Sequence, residues 1–490
     1  MTIQTFIKQK LKERGMRVDT FINQCGVSKS TIYRVMKGYQ CPSVELENRI
    51  GDVLSFSPME RQLMRYYAAL PKTEVDAIPC WEEIDRFLRT PREPLAPPVE
   101  LVHYDGGEQY MRTLDRLLEG ILAVRDQPGF ALSIRLVNCC DTAIISALQR
   151  MLIDLSPQVV QIEHLVQFAQ GNRPENIHMI RALVDMMRIP GYRAYYSAHS
   201  GASASTPFAN MILLNYGCEA REQHMLCVCC YSQSLSTCLT LDQEAQRDFF
   251  ERGYQAIRGD YTNALNPYSA LMDNEALYLN LETQYNIYTL KHGPSFIRVP
   301  IPVFRHLVNR TPREDQLPII RGMHKNEFAQ EELENRLEAL LSFMQMRMDV
   351  SMARADVDVY NSKGLEAFVR SGMLSDHFQG FPPFNLEERK AILTFIRNRH
   401  KDPNDPFRFH ILKEEGIRED MIVVTYKGYG VQVMADAAAY RNYDFSNYIL
   451  THKELANIFC EFIENYVPNI LAMTDEEAGT YLDHLIAQCD

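Results

Sequence analysis

The sequence predicts a multidomain protein in which an all-α head of five short helices precedes a larger α/β body. Three observations lead to this fold class. The chain has 490 residues, which is more than one ordinary hydrophobic core accommodates. Residues 1–70 form short amphipathic segments separated by Gly, Ser and Pro. Beyond about residue 105, apolar strand-like runs alternate with helical segments, as they do in α/β layers.

The composition excludes several classes of protein. With 46% hydrophobic and 23% charged residues, the chain is globular rather than disordered. It contains no run of about 18 apolar residues, which argues against a membrane span. Its start, MTIQTFIKQKLKERG, is charged and lacks the apolar centre of a signal peptide, so we expect a cytoplasmic protein. The 12 cysteines are then expected to be reduced, buried thiols.

The charge is distributed unevenly along the chain. The net charge is −12 overall, but residues 1–70 contain 11 Lys and Arg against 6 Asp and Glu, a balance of +5. The remaining residues carry 40 basic against 57 acidic side chains, a balance of −17. A small basic head on a large acidic body is the asymmetry expected when only the head contacts phosphates.

Local signals divide the head into five helices. They are expected over residues 3–14, 17–25, 28–37 and 44–54, and from residue 58 onward. Gly26 permits a tight turn between the second helix and the third, and Ser28 is a suitable N-cap for the third. Ser57 and Glu60 form a capping box, with Pro58 at the first helical position of the fifth helix.

The third helix has one apolar side and one polar side. Ile32 and Val35 are expected to face inward. The outer side then carries long donors, a hydroxyl and an aromatic ring, on Lys29, Ser30, Tyr33, Arg34 and Lys37. This set suits base edges and phosphates in a major groove about 12 Å wide. The alternative is a solvated basic surface, but the helix order, the glycine turn and the local charge together favour nucleic acid.

The stretch LKERGMRVDTFINQCGVSKSTIYRVMKGYQCPSVELENRIGDVL resembles the lambda-repressor/Cro-like (XRE-type) helix-turn-helix family, over residues 3–68. The pattern G-V-S-x-S-T-I-x-R-x-x-x-G, followed by P-S-x-E, has the spacing of that family. The resemblance implies a transcriptional regulator that binds double-stranded DNA sequence-specifically. It further implies that Lys29, Ser30 and Arg34 contact bases, with Tyr33 beside them.

The same resemblance assigns contacts with the DNA backbone. Arg17, Lys37 and the helix N-termini would hold phosphates. Ser28 and Thr31 belong to the same motif and complete the candidate DNA-binding set. Regulators of this type usually bind as two-fold dimers, so we expect a homodimer that forms through the body, which could also sense an effector.

The rest of the chain is expected to form a linker and two body halves. The expected boundaries are 1–70 for the head, 71–105 for the linker, 106–328 for the first half and 329–490 for the second. The linker includes a short helix around Trp81, which is expected to pack against a neighbour. The order strand, helix, helix, strand, strand pair, helix recurs over residues 106–260 and 329–467, which predicts a pseudo-repeat.

The order of elements in the body loosely resembles the two halves of the phospholipase D-like fold. The chemistry of that family needs a His-x-Lys signature in each half. None of the 13 histidines has a lysine two positions on, as His199, His410 and His452 illustrate. The resemblance therefore implies a degenerate scaffold that binds a ligand or a partner. The alternative function is a phosphodiesterase-like enzyme, or a catalytically dead relative, with a DNA-targeting head.

Two further stretches suggest chemistry but have simpler explanations. HMLCVCCYS contains Cys227, Cys229 and Cys230, but successive residues of a strand point to opposite faces, so these thiols are not expected to share a metal. KGYGVQV at 427–433 lacks the lysine-serine of a phosphate-binding loop and is expected to form a hairpin turn. No metal, cofactor or catalytic residue is therefore assigned.

Overall fold

The computed structural model describes the chain from residue 3 to residue 489 with gaps. The described residues are 3–36, 42–69, 77–90, 119, 121–139, 145, 148, 152, 159–168, 174–186, 192–197, 211–218, 221–232, 235–240, 243–263, 275–323, 328–376, 381–414, 416–419, 421–435 and 447–489. They contain a helical N-terminal region and two mixed β-sheets. The expectation of a helical region followed by an α/β body is confirmed at this level.

The N-terminal helices lie where they were expected. They are α1 (Ile3–Glu13), α2 (Val18–Cys25), α3 (Lys29–Met36), α4 (Val44–Val53) and α5 (Pro58–Ala69). Gly26 adopts a φ of 64°, in the left-handed region that glycine tolerates best. The capping box is confirmed, because the Ser57 backbone N–H donates to Glu60 at 2.7 Å and the Glu60 N–H donates to Ser57 Oγ at 3.2 Å.

Helix α6 (Ile78–Arg89) lies within residues 71–105, which were expected to form a linker that includes a short helix around Trp81. Trp81, with no exposed surface, lies in the core, which confirms the expected helix and its packing. The Arg418 backbone N–H donates to Leu88 O at 3.2 Å, and the Tyr466 ring lies 6.3 Å from Trp81. Residues 77–90 therefore form part of the body, because this helix is apolar enough to be buried by it.

The first sheet follows α6 in the chain. Its strands are β1 (Ala131–Val137), β2 (Val160–Gln167), β3 (Tyr192–Ser197), β4 (Met211–Cys218), β5 (Arg221–Ser232), β6 (Leu235–Thr240) and β7 (Thr262–Asn263). They lie in the order β6-β5-β4-β1-β2-β3-β7. β1, β2 and β3 are parallel, whereas β4, β5 and β6 continue the sheet as antiparallel strands. The associated helices are α7 (Pro174–Met186) and α8 (Glu244–Arg258).

The second sheet repeats this arrangement. Its strands are β8 (Ile287–Lys291), β9 (Val357–Asn361), β10 (Arg408–Leu412), β11 (Met421–Tyr426), β12 (Gly430–Ala435) and β13 (Asn447–Leu450), in the order β10-β9-β8-β11-β12-β13. β8, β9 and β10 are parallel, and β11, β12 and β13 follow as antiparallel strands. When the strands of each sheet are counted in chain order, both sheets have the spatial order 3-2-1-4-5-6 for their first six strands. In both, strands 1 to 3 are parallel, and strands 4 to 6 are added as antiparallel neighbours.

The second sheet begins earlier in the chain than residue 329, where the second half of the body was expected to start. Its first strand, β8, begins at Ile287, within the range assigned to the first half. Thr289 and Lys291 of this strand are buried. Because polar side chains occupy buried positions there, the strand lacks the apolar pattern by which a buried strand is identified in a sequence.

Helices surround the second sheet. They are α9 (Glu275–Gln284), α10 (Ile301–Arg310), α11 (Arg313–Gly322), α12 (Leu333–Met352), α13 (Ser362–Ser371), α14 (Leu386–Lys401), α15 (Lys453–Glu461) and α16 (Asp475–Ala487), with a π-helical segment, Phe462–Leu471, between the last two. Among the residues that the structure describes, no helix combines the length and apolar character needed to cross a membrane.

One continuous apolar core joins the N-terminal region to both sheets. It includes Phe21 and Val35 from the head, Ile134 from the first sheet and Val359 from the second. Helix α5 rests on the π-helical segment, where the Tyr66 and Tyr466 ring centroids are 6.0 Å apart. The head is therefore packed against the body.

Candidate nucleic-acid interface

The turn between α2 and α3 fixes how α3 is presented. The Gly26 N–H donates to Asn23 O at 3.3 Å, which closes α2. Ser28 Oγ accepts the Thr31 N–H at 3.1 Å, so Ser28 caps the start of α3 as expected. Ile32 and Val35 are buried, which holds the opposite side of α3 outward.

The outward side of α3 carries most of the residues predicted to contact DNA. The exposed members of that set are Arg17, Ser28, Lys29, Ser30, Tyr33 and Arg34. Thr31 is half-buried, and Lys37 lies outside the described residues. No described part of the body covers these exposed side chains.

Two local contacts organise this face. The Lys29 Nζ atom lies 5.9 Å from the centroid of the Tyr33 ring. The Ser28 hydroxyl lies 2.9 Å from the Ser30 hydroxyl and 2.7 Å from that of Thr31. The hydroxyl groups therefore form one polar patch at the N-terminus of α3, where the exposed N–H groups of the helix favour anions.

Arg17 and Arg34 differ from several other cations of the head. Neither forms an ion pair with any described residue, whereas Lys10 and Arg14 both pair with Glu60, at 2.9 Å and 3.3 Å. The positive charge left uncompensated therefore includes Arg17 at the start of α2 and Arg34 on α3.

Asp19 is a residue of this surface that the sequence interpretation did not assign. Its Oδ1 atom lies 3.1 Å from Lys29 Nζ, and both side chains are well exposed. The hydrogen bond from Lys29 to Asp19, and then the charge of Asp19, raise the pKa of Lys29. The spacing of ten residues across a glycine turn gives no periodic signal, so only the folded structure reveals the pair. Phosphates would compete with Asp19 for Lys29.

The body contains a separate cluster of buried charges around Asp358 on β9. Asp358 accepts hydrogen bonds from Thr289 and Tyr360, each at 2.6 Å, and from Arg298 Nε at 2.8 Å, and lies 3.1 Å from Lys291 Nζ. Burial alone would raise the pKa of Asp358, but the charges of Arg298 and Lys291 outweigh it and hold this pKa well below its usual range. Asp358 is fully buried, so this cluster presents no surface to a macromolecule.

The cysteine-containing stretch HMLCVCCYS forms a strand and the glycine-containing stretch KGYGVQV forms a hairpin turn, as expected. Cys227, Cys229 and Cys230 lie on strand β5, paired with Leu239, Thr237 and Ser236 of β6. The glycine stretch forms the turn of the β11–β12 hairpin, with a φ of 79° at Gly428. Within the described ranges, no group of three or more His, Cys, Asp or Glu side chains is placed to hold a metal ion.

Comparison with known proteins adds no further assignment. No protein-family model, no curated protein and no solved structure matches the chain. The functional argument therefore rests on the residues and geometry of the α3 surface.

Proposed function

We propose that this protein is a sequence-specific DNA-binding transcriptional regulator with a helix-turn-helix head of the lambda-repressor/Cro-like type. The observation that carries the proposal is the α3 surface, which is polar, basic and open to solvent while Ile32 and Val35 fix its opposite side in the core. An exposed helix of this kind after a glycine turn has the form and size that a major groove accepts.

In this proposal the residues of the head have distinct roles. Lys29, Ser30 and Arg34 contact base edges, with Tyr33 beside them, because long donors and short hydroxyls on an exposed helix can reach the groove floor. Arg17, at the N-terminus of α2, and Lys37 hold phosphates. Ser28 and Thr31 orient the first turn of α3 through their shared hydroxyl contacts.

The body serves in sensing and in dimerisation. Its balance of −17 against +5 in residues 1–70 keeps it away from phosphates and leaves DNA contact to the head. A single small head contacts few base pairs, so we propose a homodimer that works in the cytoplasm on two half-sites. The alternative phosphodiesterase-like function receives no support from the sequence, in which no histidine is followed two positions on by lysine.

Selection from a pool of random duplexes tests the proposal. The full-length chain should enrich a defined sequence, and a triple variant with K29A, S30A and R34A should lose this enrichment while retaining its far-ultraviolet circular dichroism. The R370A variant serves as a control, because Arg370 is an exposed arginine of the body. Enrichment of no sequence by the wild-type chain, or equal enrichment by the triple variant, would contradict the proposal.

A further inference from the structure

Three arginine side chains converge at the amino-terminal edge of the second sheet. Arg298 Nη1 donates to the Ser351 hydroxyl, and Arg399 Nη2 lies 3.5 Å from Ser351 O. Arg354 Nη2 donates to Asp356 Oδ2 at 2.8 Å, and Arg298 Nη2 lies 3.6 Å from that same oxygen. The three guanidinium groups are thus neighbours around the C-terminal end of α12.

These cations are removed from water. Arg298, Arg354 and Arg399 expose 1%, 8% and 4% of their surface. The guanidinium carbons of Arg298 and Arg399 each lie 4.5 Å from the centroid of the Phe407 ring, which places both groups against one aromatic side chain. Like charges repel strongly at such burial, so the cluster depends on anions.

The described carboxylates do not use all the donors of the cluster. Asp358 accepts two hydrogen bonds from Arg298, at 2.8 Å and 3.0 Å. Asp405 accepts two from Arg399, both at 2.7 Å. Arg354 reaches a single carboxylate oxygen, on Asp356. Among the described residues, Nε and Nη1 of Arg354 and Nη1 of Arg399 find no acceptor. A buried donor without a partner destabilises the folded chain, so an acceptor supplied from outside would be stabilising.

We propose that Arg354 and Arg399 form a binding site for a small oxyanion, a phosphate, sulfate or carboxylate group, in the body of the protein. Such an anion would accept hydrogen bonds from the guanidinium N–H groups of Arg354 and Arg399 that have no acceptor among the described residues. Met352 at the end of α12 is 41% exposed, and Ala353 and Ala355 beside Arg354 are also exposed, so the site lies close to the surface.

A series of contacts connects the site with the head. Strand β10 begins directly after Phe407, and its far end contacts the π-helical segment, where the Lys413 N–H donates to Leu471 O at 3.0 Å. Helix α5 rests on that segment through Tyr66 and Tyr466. The inference does not rest on the proposed DNA-binding function, and oxyanion binding is tested without DNA.

Thermal unfolding and calorimetric titration of the full-length chain test this inference. Sodium phosphate, sulfate, acetate and succinate are compared with chloride at equal ionic strength. We expect a rise in Tm and a saturable calorimetric isotherm with at least one oxyanion, and the anions that produce them show whether the site takes tetrahedral groups or carboxylates. Binding to one site stabilises the folded chain by RT ln(1 + c/Kd), where c is the concentration of free anion, so Tm rises with the logarithm of the anion concentration above Kd. The heat of titration saturates when the site is filled, which distinguishes site binding from a general salt effect.

Two variants assign the effect to the cluster. R354Q should abolish the Tm rise, and R354K, which keeps the charge but loses the fork, should bind the anion at least tenfold more weakly. R397Q, on the same helix as Arg399 but paired with Asp483 at the surface, should keep the wild-type response. The inference is overturned if no oxyanion raises the wild-type Tm above that in chloride, or if R354K binds as tightly as the wild type.

Discussion

At the scale of single residues, the basic side chains of the head are of two kinds. Some form ion pairs within the head, and others have no acidic partner among the described residues and are available to bind a ligand. Lys10 and Arg14 are committed to Glu60, whereas Arg34 has no acidic partner among the described residues. A side chain of the first kind loses an internal contact when it binds DNA, and one of the second kind does not. Arg34 is therefore the residue whose substitution most directly tests the proposed recognition of bases.

We expect R34A to weaken binding to the selected duplex by about 1–3 kcal/mol, with a smaller loss on random duplexes. K37A should weaken binding to all sequences similarly, because a phosphate contact carries no sequence information. Electrophoretic mobility shifts at one fixed salt concentration measure both effects. Equal losses on selected and random duplexes for both variants would refute these roles.

His164 on β2 makes the stability of the body depend on pH. It is fully buried, its Nδ1 atom lies 2.9 Å from the Tyr192 hydroxyl, and burial lowers the pKa of His164 to about 3. The unfolded chain binds a proton on this histidine below about pH 6.5, and the folded chain does not. The free energy of unfolding should therefore fall as the pH drops below about 6.5, by at most about 1.4 kcal/mol per pH unit from this residue.

Urea unfolding at a series of pH values between 7 and 4 measures this slope. H164Q should flatten it, since glutamine does not titrate, and H484Q at an exposed position of α16 should leave it unchanged. Burial also lowers the pKa of His410, to about 4, so part of the slope should persist in H164Q. An unchanged slope in H164Q would show that His164 does not contribute.

At the scale of elements, the turn between α2 and α3 depends on Gly26. A side chain at a φ of 64° costs roughly 1–2 kcal/mol, and more when it is β-branched, whereas asparagine tolerates this region. We expect G26V to speed hydrogen exchange of the α2 and α3 amides and to weaken DNA binding. G26N should stay close to the wild type. If both variants exchange like the wild type, the turn does not require glycine.

The elements also show what a single sequence can and cannot predict. Helices α1–α5 have clear caps, glycines or apolar faces in the sequence, and all five lie within one or two residues of the expected ranges. Strand β8 was missed because its buried Thr289 and Lys291 are polar and find their partners on β9. The exposed side of α3 follows from helical periodicity. The Asp19–Lys29 pair and the arginine cluster depend on long-range packing, which periodicity does not report.

At the scale of the whole molecule, the proposed function requires two heads at a fixed separation. We expect the full-length chain to sediment as a dimer at micromolar concentration and to protect two half-sites whose centres are about 10–10.5 base pairs, or a multiple of this, apart. Analytical ultracentrifugation and footprinting measure the two properties. A chain that stays monomeric with and without its DNA would contradict this arrangement.

The shared strand order of the two sheets has a consequence for the origin of the chain. A half-length ancestor with one such sheet would have exposed the apolar side that now belongs to the common core. Such a molecule would have been stable only when paired with a copy of itself, since a self-complementary contact is the simplest way for identical subunits to shield that side. Gene fusion would then have turned symmetry between subunits into symmetry within one polypeptide. In such a history each copy could diverge, and among the described residues the buried arginines lie beside the second sheet.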